Sequence, residues 1–387
     1  MIPDAADRRI AAALFALVAA VLLAVVFDAH DGNTDAEIHF QQARAMATRG
    51  SWAFEPDRLV TDRIIQLESM PGAAGSASQK GVDGRVYGHF GPAYVLAATP
   101  LYAIGAALAV AFPGIEVHTR EREYLIANVG GPLVDYLPRL VVGAISPLFL
   151  ALGAACVYLA GRRLGAGRWP ACMAALALPF ATFAGPIARH CGSDTMAAAL
   201  VAVALERALA RRFAEAGAAA ALVPATRYLG FSSLPGVALV LLVVALREER
   251  SARAKALAAA ALPFLAVLAA ILVVNHLRWG SPFDFGYRHT FEDDDVLVGD
   301  RVRQTARGLF LSFFAPSRGL VFFAAPLVVL GVAGLFVLAR RDRPLAIALA
   351  VGIVAVVIPP SASILWHGTW SWGPRYHLPA LVYLAGP

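Results

Sequence analysis

Charged residues are scarce in this 387-residue chain and make up 16% of it. Soluble domains carry about 25% charged residues, whereas 59% of this chain is hydrophobic and its mean hydropathy is +0.64. These proportions exclude an ordinary soluble domain. Several apolar runs approach the roughly 20 residues that a helix needs to cross the hydrocarbon core of a bilayer. The composition therefore predicts a polytopic membrane protein with an all-α helical bundle.

Lysine and cysteine are also rare. The formal net charge of +6 comes almost wholly from arginine, since Lys80 and Lys255 are the only lysines. The arginines form short clusters between apolar runs, which is typical of membrane orientation and not of a nucleic-acid surface, so we expect no nucleic-acid partner. The three cysteines, Cys156, Cys172 and Cys191, lack the spacing of a metal or redox site.

The apolar runs predict about ten membrane crossings in a single domain that covers residues 1–387. Arg8 and Arg9 precede the first run and no cleavage pattern closes it, so we interpret it as a first span and not as a signal peptide. The run 214–247 is longer than one span, and the stretch TRYLGFSS at 226–233 divides it in two. The runs lie at about 10–27, 91–111, 138–160, 169–188, 194–210, 214–247, 254–275, 317–339, 344–362 and from 377 onward.

The arginine clusters predict the orientation. With a cytoplasmic N-terminus, every cluster lies inside if the run 91–111 does not cross the membrane. We therefore expect 91–111 to form a re-entrant or interfacial element. Such an element is tolerated where other parts of the protein cover it. The first external loop, about 28–137, then lies on the extracytoplasmic face with the other polar segments. The last run is too short to span, so we expect a truncated C-terminus. The clusters stand at 8–9, 162–168, 207–212, 247–253 and 340–343.

Acidic residues open the segment after the first span. From Thr34 onward, apolar residues recur on one helical stripe, which predicts an amphipathic helix along the membrane surface. Asp35 and Glu37 lie in its first turn. Asp35, at the boundary between lipid and water, is well placed as a general base. Glu37 has a second interpretation, because it matches a capping box with Thr34, and acidic residues favour helix N-termini in any case.

A second acidic residue begins a later span. Asp194 lies at the N-terminus of this span, and Arg189 precedes it by five positions. One interpretation of Asp194 is a helix N-cap. The other is a second carboxylate that faces Asp35 and positions an acceptor hydroxyl or a cation, because ionisable groups at the ends of spans are often functional.

Cationic and aromatic residues precede the apolar run at 91. Arg85, Tyr87 and His89 come just before a Gly-Pro that opens this run. A helix N-terminus with nearby cations is an anion site. Anchoring in the headgroup region is the alternative, since Tyr and Arg both favour it. Together with Arg189, these residues are candidates for binding a donor phosphate or another part of a substrate.

The stretch WHGTWSWGPRYHLP at 366–379 combines tryptophans with an arginine. The tryptophans have an aromatic belt as one interpretation. Arg375 follows Gly-Pro and precedes a helix, a setting in which a guanidinium can bind a phosphate at two points. The flat faces of Trp372 and Tyr376 suit sugar rings or isoprenoid chains. The run EDDD at 292–295 is typical of a solvated surface, with binding of a divalent cation as the alternative.

The order of these motifs resembles that of the membrane-embedded GT-C glycosyltransferases, in particular glycosyltransferase family 39. That family includes protein O-mannosyltransferases and the aminoarabinose transferases that act on lipid A. The similarity covers nearly the whole chain and is greatest to a bacterial branch that ends in a WSWGPR motif. The motifs are TDAEIHFQQARAMATRGSW, GRVYGHFGPAYVLAATPLYAIG, RRLGAGRWPACMAALAL, ARHCGSDTMAAAL, NHLRWGSPFDFGY, SRGLVFFAAP and WSWGPRYHLPAL.

The resemblance implies a GT-C type bundle in a bacterial inner membrane, with an active site on the extracytoplasmic face. It also implies a polyprenyl-phosphate sugar donor, a lipid, glycan or protein acceptor, and contact with membrane lipids. The acidic base of the first external loop maps to Asp35. Glu37 remains a rival, because the chain reads Asp-Ala-Glu where the family often has Asp-Glu. The second external acid maps to Asp194, and His89 takes the place of a basic residue before a Pro-containing helix.

The expected reaction is an inverting sugar transfer. Asp35 takes the proton of the acceptor hydroxyl, and Arg375, with His89 or Arg85, neutralises the leaving phosphate. Two other functions stay open: a flippase or transporter of lipid-linked sugars, and a non-catalytic partner in glycosylation. A transporter is typically built from internal repeats with polar residues at the membrane midplane, whereas the polar groups of this chain gather at one surface.

Overall fold

The computed structural model describes residues 3–26, 34–54, 78–115, 135–189, 192–286, 298–362 and 373–386. These ranges are almost wholly helical, because a helix satisfies its own backbone groups where a bilayer offers no other partner. The α-helices are α1 (Ala5–Val21, continued by a π-helical turn Leu22–Val26), α2 (Thr34–Arg49), α3 (Pro92–Ala111), α4 (Tyr136–Gly143), α5 (Ile145–Arg163), α6 (Arg168–Phe180), α7 (Ala184–Ile187), α8 (Ser193–Leu209), α9 (Phe213–Thr226), α10 (Leu234–Ala245), α11 (Arg250–Trp279), α12 (Val298–Phe314), α13 (Leu320–Phe323), α14 (Ala325–Arg341), α15 (Arg343–Ser361) and α16 (Leu378–Ala385).

A small hairpin is the departure from the all-α prediction within the described ranges. Strands β1 (Ser78–Lys80) and β2 (Val86–Gly88) pair antiparallel, with Gln79 opposite Tyr87. Phe54 forms an isolated bridge to β2. The hairpin lies in the predicted first external loop, directly before α3 in the chain. It is therefore part of that loop and not of the helical bundle.

Six helices in the described ranges are long and apolar enough to cross a membrane. The predicted figure of about ten crossings stays a prediction, because other apolar helices, such as the 17-residue α8, are at or below the lower limit of a usual span. The division of the long run at 214–247 is confirmed, since a 3₁₀ segment, Tyr228–Ser233, separates α9 from α10. The six spans are Ala5–Val25, Pro92–Ala111, Tyr136–Arg163, Tyr228–Ala245, Arg250–Trp279 and Arg343–Ser361.

The arginine clusters lie together at one end of the bundle. Ion pairs connect each cluster to the next, so the clusters belong to a single surface. The pairs are Arg162 with Asp7 at 3.0 Å, Arg163 with Glu206 at 3.0 Å, Arg211 with Glu248 at 3.2 Å and Arg247 with Asp342 at 2.6 Å. This is the arrangement that the charge pattern predicts, although the side of the membrane stays a prediction.

Helix α3 packs at the opposite end. At the start of α3, the backbone of Gly91 packs against Ala225, at the end of α9. A β-carbon at position 91 would be 2.1 Å from the carbonyl oxygen of Ala225. Further along α3, a β-carbon at Gly105 would be 2.4 Å from Pro138, in the first turn of α4. Its 20 residues are long enough to span, so the prediction of a re-entrant or interfacial element stays a prediction.

Helix α2 is enclosed on every side over its first half, unlike the expected amphipathic surface helix. Residues 36–43 are all buried, including the polar Gln41 and Gln42. The stripe pattern predicts the helix, but it does not predict that other segments of the chain cover the polar face of that helix. Gly88 of the hairpin packs against Ile38, and the Gln42 side-chain amide donates to the backbone oxygen of Trp52 at 3.3 Å. The position of α2 relative to the membrane surface stays a prediction.

Helix α8 forms the centre of the bundle. It is buried along nearly its whole length and packs against α5, α9, α10 and α16. Its first turn therefore carries Asp194 into the protein interior, at the end where α2 begins.

Candidate active site

A buried ion pair joins α2, near the start of the chain, to the segment before α16, near its end. Nη2 of Arg375 lies 2.9 Å from Oδ2 of Asp35, and the arginine side chain is 7% exposed. The side chain of Asp35 is 17% exposed. Both residues were predicted to be functional, and the structure brings them into contact.

Gly373 sets the path of the chain before Arg375. Its φ is +72°, in the left-handed region that favours glycine. A β-carbon at this position would also lie 2.6 Å from the β-carbon of Phe183. The Gly-Pro-Arg sequence therefore lets the backbone turn tightly against α7 and place Arg375 on a short 3₁₀ segment, Arg375–His377.

A second buried ion pair lies beside the first. Arg227 donates from Nη1 to the carboxylate of Asp194, at 3.0 Å to each oxygen. Asp194 is not the N-cap of α8, because Gly192 holds that position and Asp194 follows within the first turn. The carboxylate is thus available to Arg227, which stands between α9 and the 3₁₀ segment where the long apolar run divides.

Tyr376 connects the two pairs. The guanidinium carbon of Arg227 lies 5.0 Å from the centre of its ring, and that of Arg375 lies 5.1 Å from it. Arg375 also donates to the Tyr376 hydroxyl at 3.4 Å. Both distances to the ring are within cation–π range. Two guanidiniums, each paired with a carboxylate, therefore lie against one aromatic ring, and we call Asp35, Asp194, Arg227 and Arg375 the charge cluster.

The charge cluster keeps Asp35 ionised. Burial opposes the charge on Asp35, but the positive charges of Arg375 and Arg227 outweigh it and hold the pKa of this carboxyl below its ordinary value. A further arginine lies close by, since burial and then the charge of Arg375 lower the pKa of Arg318. The surroundings of Asp35 are thus rich in positive charge, which suits an anionic ligand.

Two histidines border the charge cluster. His89 is buried, and its ring centre lies 4.6 Å from that of Phe90. His39 is one turn after Asp35 on α2 and has no exposed surface. Burial lowers the pKa of His39 to about 3, so this imidazole is neutral at physiological pH.

Glu37 belongs to a separate ion pair. Its carboxylate binds both terminal nitrogens of Arg139 in α4, one of them at 2.8 Å, and accepts from Gln41 at 2.8 Å. The Arg139 guanidinium also lies 4.2 Å from the ring centre of Phe40. These contacts join α2 to α4 and occupy the carboxylate from two sides. The geometry favours a structural role for Glu37 over its predicted role as a rival base.

Arg278 holds the loop that carries His89. At the end of α11, its Nη1 donates to the backbone oxygens of Gly88 and Phe90 at 3.1 Å each. Its Nη2 donates to the Tyr228 hydroxyl at 2.7 Å and to Asn275 at 3.1 Å. A single buried guanidinium thus fixes the residues on both sides of His89 and the residue after Arg227.

The remaining predicted cations are exposed. Arg85 is 68% exposed and pairs with Asp83 at 3.8 Å. The Tyr87 hydroxyl donates to the same aspartate at 2.7 Å, and the Tyr87 ring packs edge-on against Trp279. Arg189 is exposed. Trp372 and the acidic run 292–295 lie outside the described residues.

Sequence reasoning missed three buried arginines: Arg139, Arg227 and Arg278. Each one stands within or beside an apolar run, where an unpaired charge is costly. An arginine within or beside an apolar run therefore requires a partner, and this requirement could have identified the three residues from the sequence. For metal ions, the residues that the structure describes contain no group of three or more His, Cys, Asp or Glu side chains suited to binding.

No protein-family model matches the chain, and no curated protein matches it. Among solved structures, the chain is similar to ArnT from Cupriavidus metallidurans bound to undecaprenyl phosphate, with a TM-score of 0.53, 18% identity, and coverage of 97% of this chain and 59% of that chain. The apo state of ArnT gives a TM-score of 0.55 at 18% identity, with 97% and 58% covered. An oligosaccharyltransferase from Archaeoglobus fulgidus, tethered with an acceptor peptide, gives 0.45 at 12% identity, with 97% and 49% covered.

The likeness to ArnT confirms the expected helical membrane fold, although not the number of crossings. The chain shares this fold with ArnT over 97% of its length. The chain spans 59% of the length of ArnT. At 18% identity the likeness concerns the fold, so the chemistry must be argued from the charge cluster itself.

Proposed function

We propose that the chain transfers a sugar from a polyprenyl-phosphate donor to an acceptor hydroxyl at the charge cluster. The observation that carries this proposal is the pairing of two buried guanidiniums around Tyr376. Arg227 and Arg375 each bind a carboxylate through a terminal nitrogen, while the Nε atom of each has no hydrogen-bond partner among the described residues. Both arginines can therefore accept a further anionic ligand.

A phosphate is the anion that best fits this arrangement. Arginine binds phosphate through two parallel hydrogen bonds, and two arginines around one ring offer several such donors. Arg318 lies near enough to the same charges to add to the positive potential. The fold of ArnT, which has been captured with undecaprenyl phosphate, supports a polyprenyl phosphate as the lipid.

Phosphate binding at Arg375 would activate Asp35 as a base. In the ligand-free cluster, Arg375 holds the pKa of Asp35 low. When the donor phosphate binds the Arg375 guanidinium, the negative charge of the phosphate cancels the effect of Arg375 on Asp35. Burial then raises the pKa of the Asp35 carboxyl. Asp35 thus becomes a stronger base only when the donor is in place, which couples proton removal to donor binding.

The reaction is then a single displacement with inversion. The acceptor oxygen forms a bond to the anomeric carbon as the bond from that carbon to the phosphate oxygen breaks. The acceptor proton moves to Asp35, and polyprenyl phosphate leaves with its charge stabilised by Arg375 and Arg227. Asp194 keeps Arg227 in place and orients the acceptor. Removing one charge-stabilising donor typically lowers such a rate by ~10²–10³.

The site would lie on the extracytoplasmic face of a bacterial inner membrane. The arginine clusters occupy the end of the bundle at which α1 begins, and α2, with Asp35, follows the other end of α1. A helix of 17 residues is about 26 Å long at 1.5 Å per residue. With the clusters on the cytoplasmic side, Asp35 is on the outside, where a lipid, glycan or protein acceptor can reach it.

The test is sugar transfer in membranes that contain the protein. Radiolabelled sugar on undecaprenyl phosphate should pass to an acceptor in wild-type membranes, and Asp35→Asn should lower the rate at least a hundredfold. Glu215→Gln, which removes an exposed carboxylate at the opposite end, is the matched control and should leave the rate unchanged. Wild-type rates in Asp35→Asn would refute the role of the base. Movement of the labelled lipid across the membrane without a glycosylated product would indicate a transporter instead.

A further inference from the structure

His39 is a buried polar side chain that the reaction above does not use. It has no exposed surface, and neither ring nitrogen has a hydrogen-bond partner among the residues that the structure describes. A neutral imidazole carries one N–H donor and one acceptor nitrogen. Burying both without partners is unfavourable, so an apolar side chain would suit this position better unless a ligand binds there.

Two aromatic rings hold the imidazole in place. The centre of the His39 ring lies 4.2 Å from that of Phe90 and 4.3 Å from that of Tyr94. His39 also stands four residues after Asp35 on α2, which places both side chains on the same face of the helix. The charges of Asp35, Arg227 and Arg375 act on the imidazole. The ring is therefore fixed beside the charge cluster.

The chemistry of the ring selects the class of ligand. The imidazole is neutral, so it is not a second phosphate site, and the arginines already meet that need. A group that both donates and accepts a hydrogen bond can satisfy both kinds of ring nitrogen. Hydroxyl groups have this property, and a sugar presents several of them.

We propose that His39 binds a hydroxyl group of the donor sugar. This inference rests on the proposed function, because it assumes that the donor phosphate occupies Arg375 and Arg227. With the phosphate there and Asp35 facing the acceptor, the sugar lies between them, within reach of the helix face that carries His39. His39 then contributes to recognition of the sugar and not of the lipid phosphate.

The experiment compares two ligands on the purified full-length chain. Affinities are measured for undecaprenyl phosphate alone and for undecaprenyl phosphate linked to glucose, mannose or aminoarabinose. The wild type should bind at least one sugar-linked lipid about fivefold more tightly than the plain lipid, the typical effect of one hydrogen bond. His39→Phe should lose this difference and keep the affinity for the plain lipid. His39→Asn, which retains a donor and an acceptor, should recover part of it.

His276→Phe is the matched control, because His276 is exposed on α11, and it should behave like the wild type. An unchanged preference for the sugar in His39→Phe would overturn the inference, as would equal weakening of both lipids, which would indicate a packing role. Equal affinity of the wild type for all four lipids would overturn it too. If the wild type binds none of the lipids, the proposed function fails, and this inference fails with it.

Discussion

Removing the Arg139 guanidinium should destabilise the protein far more than removing the whole ion pair with Glu37. Both side chains are at most 7% exposed, and a buried charge that loses its partner typically costs about 3–5 kcal/mol. Gln41 still donates to Glu37 at 2.8 Å, so we expect the lower end of this range, about 3 kcal/mol, for Arg139→Met. The double variant Arg139→Met/Glu37→Gln removes both charges and should lie within about 1 kcal/mol of the wild type, because it leaves no unpaired buried charge.

The assay is a double-mutant cycle in detergent micelles. Unfolding by titration with sodium dodecyl sulfate gives relative free energies for the wild type, both single variants and the double variant. We expect a coupling free energy of about 2 kcal/mol or more between the two residues. Sugar transfer by the double variant should persist, since the pair only joins α2 to α4.

Two results would refute this reasoning. Additive effects of the single variants would mean that the buried pair contributes no coupling. Loss of sugar transfer in a double variant of wild-type stability would mean that Glu37 takes part in the reaction, as the rival reading of the sequence suggests.

Arg375→Lys keeps the charge but not the two-point geometry, and should weaken undecaprenyl phosphate binding about tenfold in a titration of the purified protein. Gly373→Ala, strained at φ +72°, should weaken binding at least as much by displacing Arg375. Arg278→Met, which frees the carbonyls beside His89, should weaken it by a similar factor, about tenfold. Burial opposes the charge of Glu37, but the pairing with Arg139 outweighs burial and lowers the pKa of Glu37 from 4.5. The pair should therefore stabilise the protein fully above pH 4.5. This stabilisation should be lost as the pH falls through the lowered pKa of the folded protein. Unfolding titrations between pH 7 and pH 3 measure this loss, and Glu37→Gln should abolish it.

Features that depend on local sequence could be predicted. The break at 226–233 follows from a polar stretch that interrupts an apolar run. The helix at α2 follows from its periodicity, and the common end of the arginine clusters follows from their alternation with apolar runs. Asp35 and Arg375 were predicted as site residues because each lies beside a predicted span in a setting that favours charged chemistry, and the structure places them in contact.

The contacts of the site depend on residues far apart in the chain and could not be predicted. Arg227 reaches Asp194 across 33 positions, and Arg139 reaches Glu37 across 102. The enclosure of α2 has the same origin, since the hairpin and α4 cover a face that its own pattern leaves polar. Arg85 illustrates the converse: its motif suggested an anion site, yet the hairpin turns its side chain outward to Asp83.

A structure determined with undecaprenyl phosphate bound would show whether the charge cluster binds the donor phosphate. We expect the phosphate to lie within hydrogen-bonding distance of Arg375 and Arg227, about 3 Å from their nitrogens, and Asp35 to have separated from Arg375. A phosphate bound at another surface, with the 2.9 Å contact between Arg375 and Asp35 still intact, would contradict this expectation.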